Sequence, residues 1–296
     1  MLNISGLRLP MLADRVITGD VYFLNNTADN TNDVPGNGKD PRKPFSTIDY
    51  ALSKMTAGQG DYLIAGPGHI ESVTQSLDVA GIHIMGAVCG GLTPTFSGST
   101  AADCISFDAD DIEFNGFRFG APDIDLVTSN MNIAADSAVV KNIYAADCSG
   151  STSYNVVDAI TITADGDNCL LENILLFNKT AAVNSFLHLE GAASNVTVRN
   201  FKAFGDVGVG GIIDTAKIDY LVLDKVTVCV VGAYPAASLG SNPEGMATDC
   251  YFGAGGGPTS AAGALGNLMR IFNVFVTNDV DGTTSGYRLP AFDAAS

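Results

Sequence analysis

The chain has 296 residues, 46% hydrophobic and only 16% charged, with 15 basic against 32 acidic side chains and a net charge of −17. That composition belongs to an ordered chain with a sizeable core, not to a disordered one. So acidic a chain repels phosphate backbones and anionic lipid, and it holds no apolar run long enough to span a bilayer, so neither nucleic acid nor membrane is expected as a partner.

Residues 1–20 carry Leu2, Ile4, Leu7, Leu9, Met11 and Leu12, interrupted by Gly6 and Pro10. The stretch is too short for a domain and too apolar for a solvated tail. It reads as an arm lying on its own body, on a sister subunit or on a partner protein, with Leu7, Leu9 and Leu12 as contact candidates. Residues 21–60 read as a cap. Val21-Tyr-Phe-Leu24 is a strand. The polar stretch that follows offers Asp29, Asn32, Asp33 and Asn37, whose oxygens suit either a structured turn or a hard cation such as Ca²⁺, without the spacing of an EF-hand loop. Over residues 45–55, Ile48, Ala51, Leu52 and Met55 form a helical stripe, with Ser46 as N-cap, Asp49 three residues on, and Gly58 and Gly60 beyond the end. An amphipathic helix here would cover the end of a sheet that is otherwise an open edge.

From residue 61 to 283 one pattern recurs. An alternating run contains an Asn or Asp: Ile112-Glu-Phe-Asn-Gly-Phe117, Val139-Val-Lys-Asn-Ile143, Leu170-Leu-Glu-Asn-Ile174, Val196-Thr-Val-Arg-Asn-Phe201 and Leu221-Val-Leu-Asp-Lys-Val226. The markers Asn115, Asn142, Asn173, Asn200 and Asp224 follow one another at 24 to 31 residues. Gly86 takes the slot upstream, and Asp249 and Asn273 continue it downstream. A second alternating run precedes each marker run, as in Ile105-Ser-Phe107 and Ile160-Thr-Ile162. A period of this length made of strands means stacked repeats, each coil hydrogen-bonded to the next. The alternative is a β-sandwich with chance spacing, whose strands rarely keep one motif in register. The fold class expected is therefore all-β, a parallel β-helix with an N-terminal capping helix. The markers are expected to point inward and form a ladder, because a buried amide needs partners. Residues 234–267 turn to Ala, Gly, Ser and Pro and read as long loops around a weak coil at Asp249. Residues 284–296 read as a tail whose Leu289 and Phe292 are further contact candidates.

The chemistry-bearing residues do not assemble into a known catalytic set. Asp110-Asp111 sits where other coils carry Ala135-Asp136, Asp165-Gly-Asp167 and Ser194-Asn195, so it reads as a repeated turn. Glu113 and Glu172 read as one solvated face. His69, His83 and His188 lack ligand or triad spacing. Cys104, Cys169 and Cys229 read as small core residues. No catalytic residue and no cofactor are expected. Trp, the strongest sugar platform, is absent.

Tyr22-Phe-Leu-Asn-Asn, the polar loop, Lys43-Pro-Phe-Ser-Thr-Ile-Asp-Tyr-Ala-Leu52 and Gly60-Asp-Tyr-Leu-Ile-Ala-Gly-Pro-Gly-His69 together resemble the cap and first coil of right-handed, single-stranded parallel β-helix proteins of the pectate-lyase-like type. More narrowly they are similar to β-helix structural proteins of tailed bacteriophages. That resemblance implies a non-enzymatic virion protein, assembled in the host cytoplasm. It would decorate or cement the outer capsid as a homotrimer, with the major capsid protein or another virion protein as partner. The alternative it implies is a tailspike-like glycan-binding or glycan-degrading protein.

Overall fold

The computed structural model describes residues 2–4, 7–9, 18–122, 124–146, 156–179, 183–231, 234–241, 243–254, 263–265, 269–280 and 283–289. The body is a parallel β-solenoid with two main sheets. The smaller has eight strands, from Gln75–Leu77 through Ile105–Phe107, Val127–Ile133, Val156–Ile162, Ser185–Leu189, Gly210–Asp214 and Ala237–Ser238 to Gly263–Ala264. The larger takes one long strand from some coils, as in Val139–Ala146, Leu170–Asn178 and Thr197–Asp206. From others it takes two short strands meeting at a corner, as in Leu221–Asp224 and Thr227–Val231.

Register follows from alternation. Leu63, Ile84, Phe114, Val140, Leu171, Val198, Leu223 and Ala247 are partners from coil to coil and form one inward column. All eight are fully buried. A one-residue slip would expose the whole column, so the burial pattern itself fixes the pairing. Aromatic rings fill the wider early coils: Phe114 stacks on Phe117 at 4.2 Å and meets Phe107 edge-on at 5.8 Å.

The ends differ from expectation. Only Ile48–Leu52 is helical, so the capping helix over residues 45–55 is not upheld. Its N-cap is Thr47, not Ser46. The reason is local: Asp33 Oδ1 accepts the backbone N–H of Ser46 at 2.8 Å, and Asp33 Oδ2 accepts the Thr47 hydroxyl at 2.7 Å. These bonds hold the entry in extended form. What lies along the first coil is backbone: the Phe45 N–H donates to Phe23 O at 2.8 Å, and the Phe23 N–H to Gly38 O at 2.7 Å. At the other end, Thr283–Leu289 folds back antiparallel on Val274–Val280, so the expected tail begins as a strand, with Leu289 opposite Val274. The larger sheet is thus flanked at each end by chain that does not continue its parallel strands.

Residues 234–267 hold strands as well as loops, around the coil at Asp249. Ala237–Ser238, Gly245–Thr248, Tyr251–Ala254 and Gly263–Ala264 continue both sheets. Their composition is poor in strand formers, but the preceding coils template them, which outweighs a weak intrinsic preference. The Leu2–Ile4 and Leu7–Leu9 strands of the arm pair antiparallel with each other. Leu12 and Phe292 lie outside the described residues.

Candidate functional site

The recurring Asn marks a corner, and its role differs from the expected buried ladder. Asn142, Asn173 and Asn200 have φ of 53°, 58° and 47°, in the left-handed region that disfavours most side chains but tolerates Asn. Asn142 and Asn173 are solvent-exposed. The side chains do meet: Asn142 Nδ2 donates to Asn115 Oδ1 at 2.8 Å, Asn173 to Asn142 at 3.2 Å and Asn200 to Asn173 at 2.6 Å. Backbone conformation, not burial, selects the residue. Two markers stand one position off. The left-handed residue is Gly116 rather than Asn115, and Lys225 rather than Asp224. Gly86 abuts this corner, and a Cβ on it would sit 2.1 Å from Gly116 O.

The corner yields a testable asymmetry. Asn173→Val places a β-branched residue at positive φ and is expected to cost about 2 kcal/mol or more. Asn173→Gly keeps the backbone and loses only the exposed amide bonds, and is expected to stay within about 1 kcal/mol of the parent. Urea denaturation of both variants reads the difference; equal losses would assign the position to the amide ladder instead.

A second corner stacks Asp111, Ser137, Asn168, Asn195 and Tyr220, with φ between 55° and 61°. Here Asp110 Oδ1 accepts the Asp136 N–H at 3.0 Å, and Asp136 Oδ1 accepts the Asp167 N–H at 3.3 Å. The Asp110-Asp111 pair is therefore part of a turn repeated along the stack, its carboxylate spent on the next coil's backbone.

Before the first corner, the outer face of the larger sheet carries alternating charge. Lys141 Nζ is 3.2 Å from Glu172, Arg199 is 3.7 Å from Glu172, and Arg199 Nε is 3.1 Å from Asp224. Asp224 thus serves an ion ladder, not an amide ladder. Glu113 is not equivalent to Glu172: it pairs in register with His83 and Val139, is buried, and lies 3.0 Å from His83 Nδ1.

Beyond the corner the same face carries aromatic and aliphatic side chains, with Arg118, Lys202 and Thr227 among them. Tyr144, Leu175, Lys202, Thr227, Tyr251 and Phe275 form one outward column, starting from Arg118. Phe177, Phe204 and Cys229 form the next. Phe177 is 39% exposed and Phe275 40%, and the Phe177 ring stacks on Phe204 at 5.5 Å. Sequence reading missed this strip because Leu-Leu-Phe after Asn173 is a continuous apolar run without visible faces. The available signal was an aromatic residue two to four positions after Asn142, Asn173 and Asn200: Tyr144, Phe177 and Phe204.

On the smaller sheet three coils bring together groups that sequence spacing separated. Asp158 accepts the Ser185 hydroxyl at 2.6 Å and lies 3.1 Å from His188 Nδ1, while Thr215 Oγ1 is 3.4 Å from His188 Nε2. Asp158 and Ser185 are buried. The hydrogen bond to Asp158 raises the His188 pKa; burial opposes this and the charges of Asp158 and Glu190 add to it. A raised folded-state value means the protonated pair stabilises the fold fully below the unfolded pKa near ~6.5, and that contribution is lost as pH rises through the folded value. His188→Gln is therefore expected to remove part of the fall in Tm between pH 6 and 8. An unchanged profile in the variant would contradict this.

The remaining candidates are structural. His69 is fully buried, accepts the Asn26 N–H at 3.1 Å on Nδ1 and lies 3.0 Å from Glu71, whose carboxylate accepts the Ile48 N–H. Of Asp29, Asn32 and Asp33, Asp33 spends both carboxylate oxygens on Ser46 and Thr47. Asp29 and Asn32 are exposed. For Asp33, burial pushes the pKa up, but hydrogen bonds from Thr47 and Ser46 outweigh it and leave it lowered. Among the described residues no group of three or more His, Cys, Asp or Glu is placed to hold a metal. Cys104, Cys169 and Cys250 are buried, and burial pushes their thiols up, Cys169 to about 12 and Cys250 to about 11. Cys229, expected in the core, faces outward beside Phe204 and is half-buried.

Two parallel sheets wound coil on coil, with polar corners and a continuous apolar interior, define a parallel β-helix of the pectate-lyase-like kind. Pectate lyase Pel9A superposes with a TM-score of 0.55 at 11% identity, covering 79% of this chain and 63% of that one. The chain thus matches less than two thirds of that enzyme's length. A pectin methylesterase mutant in complex with hexasaccharide IV gives a TM-score of 0.43 at 10% identity, covering 93% of this chain and 86% of that one. No family model and no curated protein matches the sequence. At such identity the likeness is one of fold.

Proposed function

We propose that this protein is a structural component of a tailed-bacteriophage virion, a decoration or cement protein on the outer capsid, acting as a homotrimer without enzymatic activity. The observation that carries the reading is the strip of Tyr144, Phe177, Phe204, Tyr251 and Phe275 on the outside of the larger sheet, Phe204 half-buried and the other four exposed. Exposed aromatic rings gathered on one face suit contact with another protein surface. The strip runs straight along the stack, as side-by-side packing of solenoids requires, and closed symmetric homo-oligomers are the general rule. The sequence resemblance of the cap points to the virion. Quantifying the protein in purified particles tests this: many copies on the capsid are expected, and a few copies at the tail would refute the decoration role.

A second reading, a tailspike-like glycan-binding or glycan-degrading protein, draws on Arg118 and Lys202 within the aromatic strip. Aromatic faces beside cations suit acidic sugars. Release of reducing ends from host surface glycans would favour it.

A further inference from the structure

We infer that copies of this chain join edge to edge around an axis running along the stack, with Lys202 of one copy paired to Asp206 of the next. The inference deepens the proposed homotrimer and rests on it for the number of copies; it adds which edges of the strip meet. Lys202, Phe204 and Asp206 are alternate residues of the strand Thr197–Asp206 and so share a face. That face is the outer one. Lys202 is exposed while Ala203 beside it is buried, and Asp206 is in register with Val231, which is 62% exposed. Phe204 lies between the two charges, stacked on Phe177 of the preceding coil. One coil thus presents a cation, an aromatic ring and an anion in a row across the strip.

Neither charge has a partner in its own chain. Before the corner of the same sheet, Lys141, Glu172, Arg199 and Asp224 neutralise one another from coil to coil. Lys202 stands outside that ladder, with Leu175 and Thr227 as its neighbours in register. Among the described residues the Lys202 and Asp206 side chains make no ion pair and no hydrogen bond. Only the backbone of Asp206 is engaged, its carbonyl oxygen accepting Asn178 Nδ2 at 2.6 Å. The two cannot satisfy each other, because four residues of extended strand hold them about 13 Å apart.

Symmetry brings them together. A rotation about an axis parallel to the stack keeps every coil at its own height, so residues of one strand meet at one level across the contact. With the strips facing the axis, the Lys202 edge of one copy adjoins the Asp206 edge of the next. Each copy offers both edges, so the contact is heterologous and closes as a ring. The rings of Phe177 and Phe204 then fill the centre and the ion pairs form a polar rim, the usual anatomy of an interface. A two-fold axis along the strands would set like edges against each other. The unpaired charges therefore select the ring.

Charge exchange in the full chain tests this. Assembly constants are measured by light scattering over a dilution series for the wild type, Lys202→Asp, Asp206→Lys and the double variant. Each single variant sets like charges against each other and is expected to weaken assembly at least about fivefold, while the double variant returns to within about twofold of wild type. Circular dichroism checks the fold. Unchanged assembly in the single variants, or losses that accumulate in the double variant, would overturn the pairing. A loss on Lys202→Asp with none on Asp206→Lys would assign the cation to an acidic partner or glycan instead, and this too overturns it. Phe177→Lys separates the two claims. Assembly that depends on Phe177 but not on the charges refutes the edge pairing and leaves the strip standing; a wild-type chain that stays monomeric refutes both.

Discussion

Replacing Phe114 with Ala lowers the unfolding free energy by about 3–5 kcal/mol. Its ring is fully buried, stacks on Phe117 at 4.2 Å and lies near Phe107, Phe96 and Phe119. Part of the loss is the transfer of the ring, and part is the cavity left behind. The cavity should persist, because the coils above and below place Ile84 and Val140 in register with residue 114 through backbone bonds. Those bonds hold neighbouring strands about 4.8 Å apart, so the coils cannot close over the hole. Urea denaturation with an unchanged slope measures the loss. A cost below about 1 kcal/mol would mean that this interior is not the packed column described.

Phe177→Lys weakens self-association roughly thirtyfold, equivalent to about 2 kcal/mol. Its monomer stability should change by no more than about 0.5 kcal/mol, since the ring is on the outside of the sheet and supports no core residue. An interface built on such a strip concentrates its energy in aromatic residues near its centre, and Phe177 stacks there on Phe204 at 5.5 Å. Placing an ammonium at that point both removes the ring and buries an unpaired charge. Sedimentation equilibrium reads the shift. Unchanged association together with lost glycan binding would move the assignment to the tailspike-like reading.

Much of the fold was legible because a coil repeats its burial pattern. Val140, Leu171, Val198 and Leu223 occupy the same place in each motif and the same column in the stack. The Asn period was legible too, but its cause was not. Alternation alone does not separate an inward amide from a left-handed corner, and Ser137, Tyr220 and Lys225 fill such corners without any Asn. The capping helix was overread because a stripe of Ile48, Ala51 and Leu52 fits one turn as well as three, while the bonds from Asp33 that restrain residues 46 and 47 come from 13 and 14 residues away. The candidate surface was the least legible. Phe177 and Phe204 are adjacent only across coils, as are Asp158, Ser185 and His188. Their spacing of 27 to 30 residues is one turn of the solenoid, a distance that means nothing until the period is known.

Hydroxyl-radical footprinting of the free chain against its particle-bound form tests the central claim most directly. The strip predicts that Tyr144, Phe177, Phe204 and Tyr251 lose reactivity on assembly while the exposed second-corner residue Tyr220 keeps its own. Strip residues that stay as reactive on the particle as in solution would contradict it.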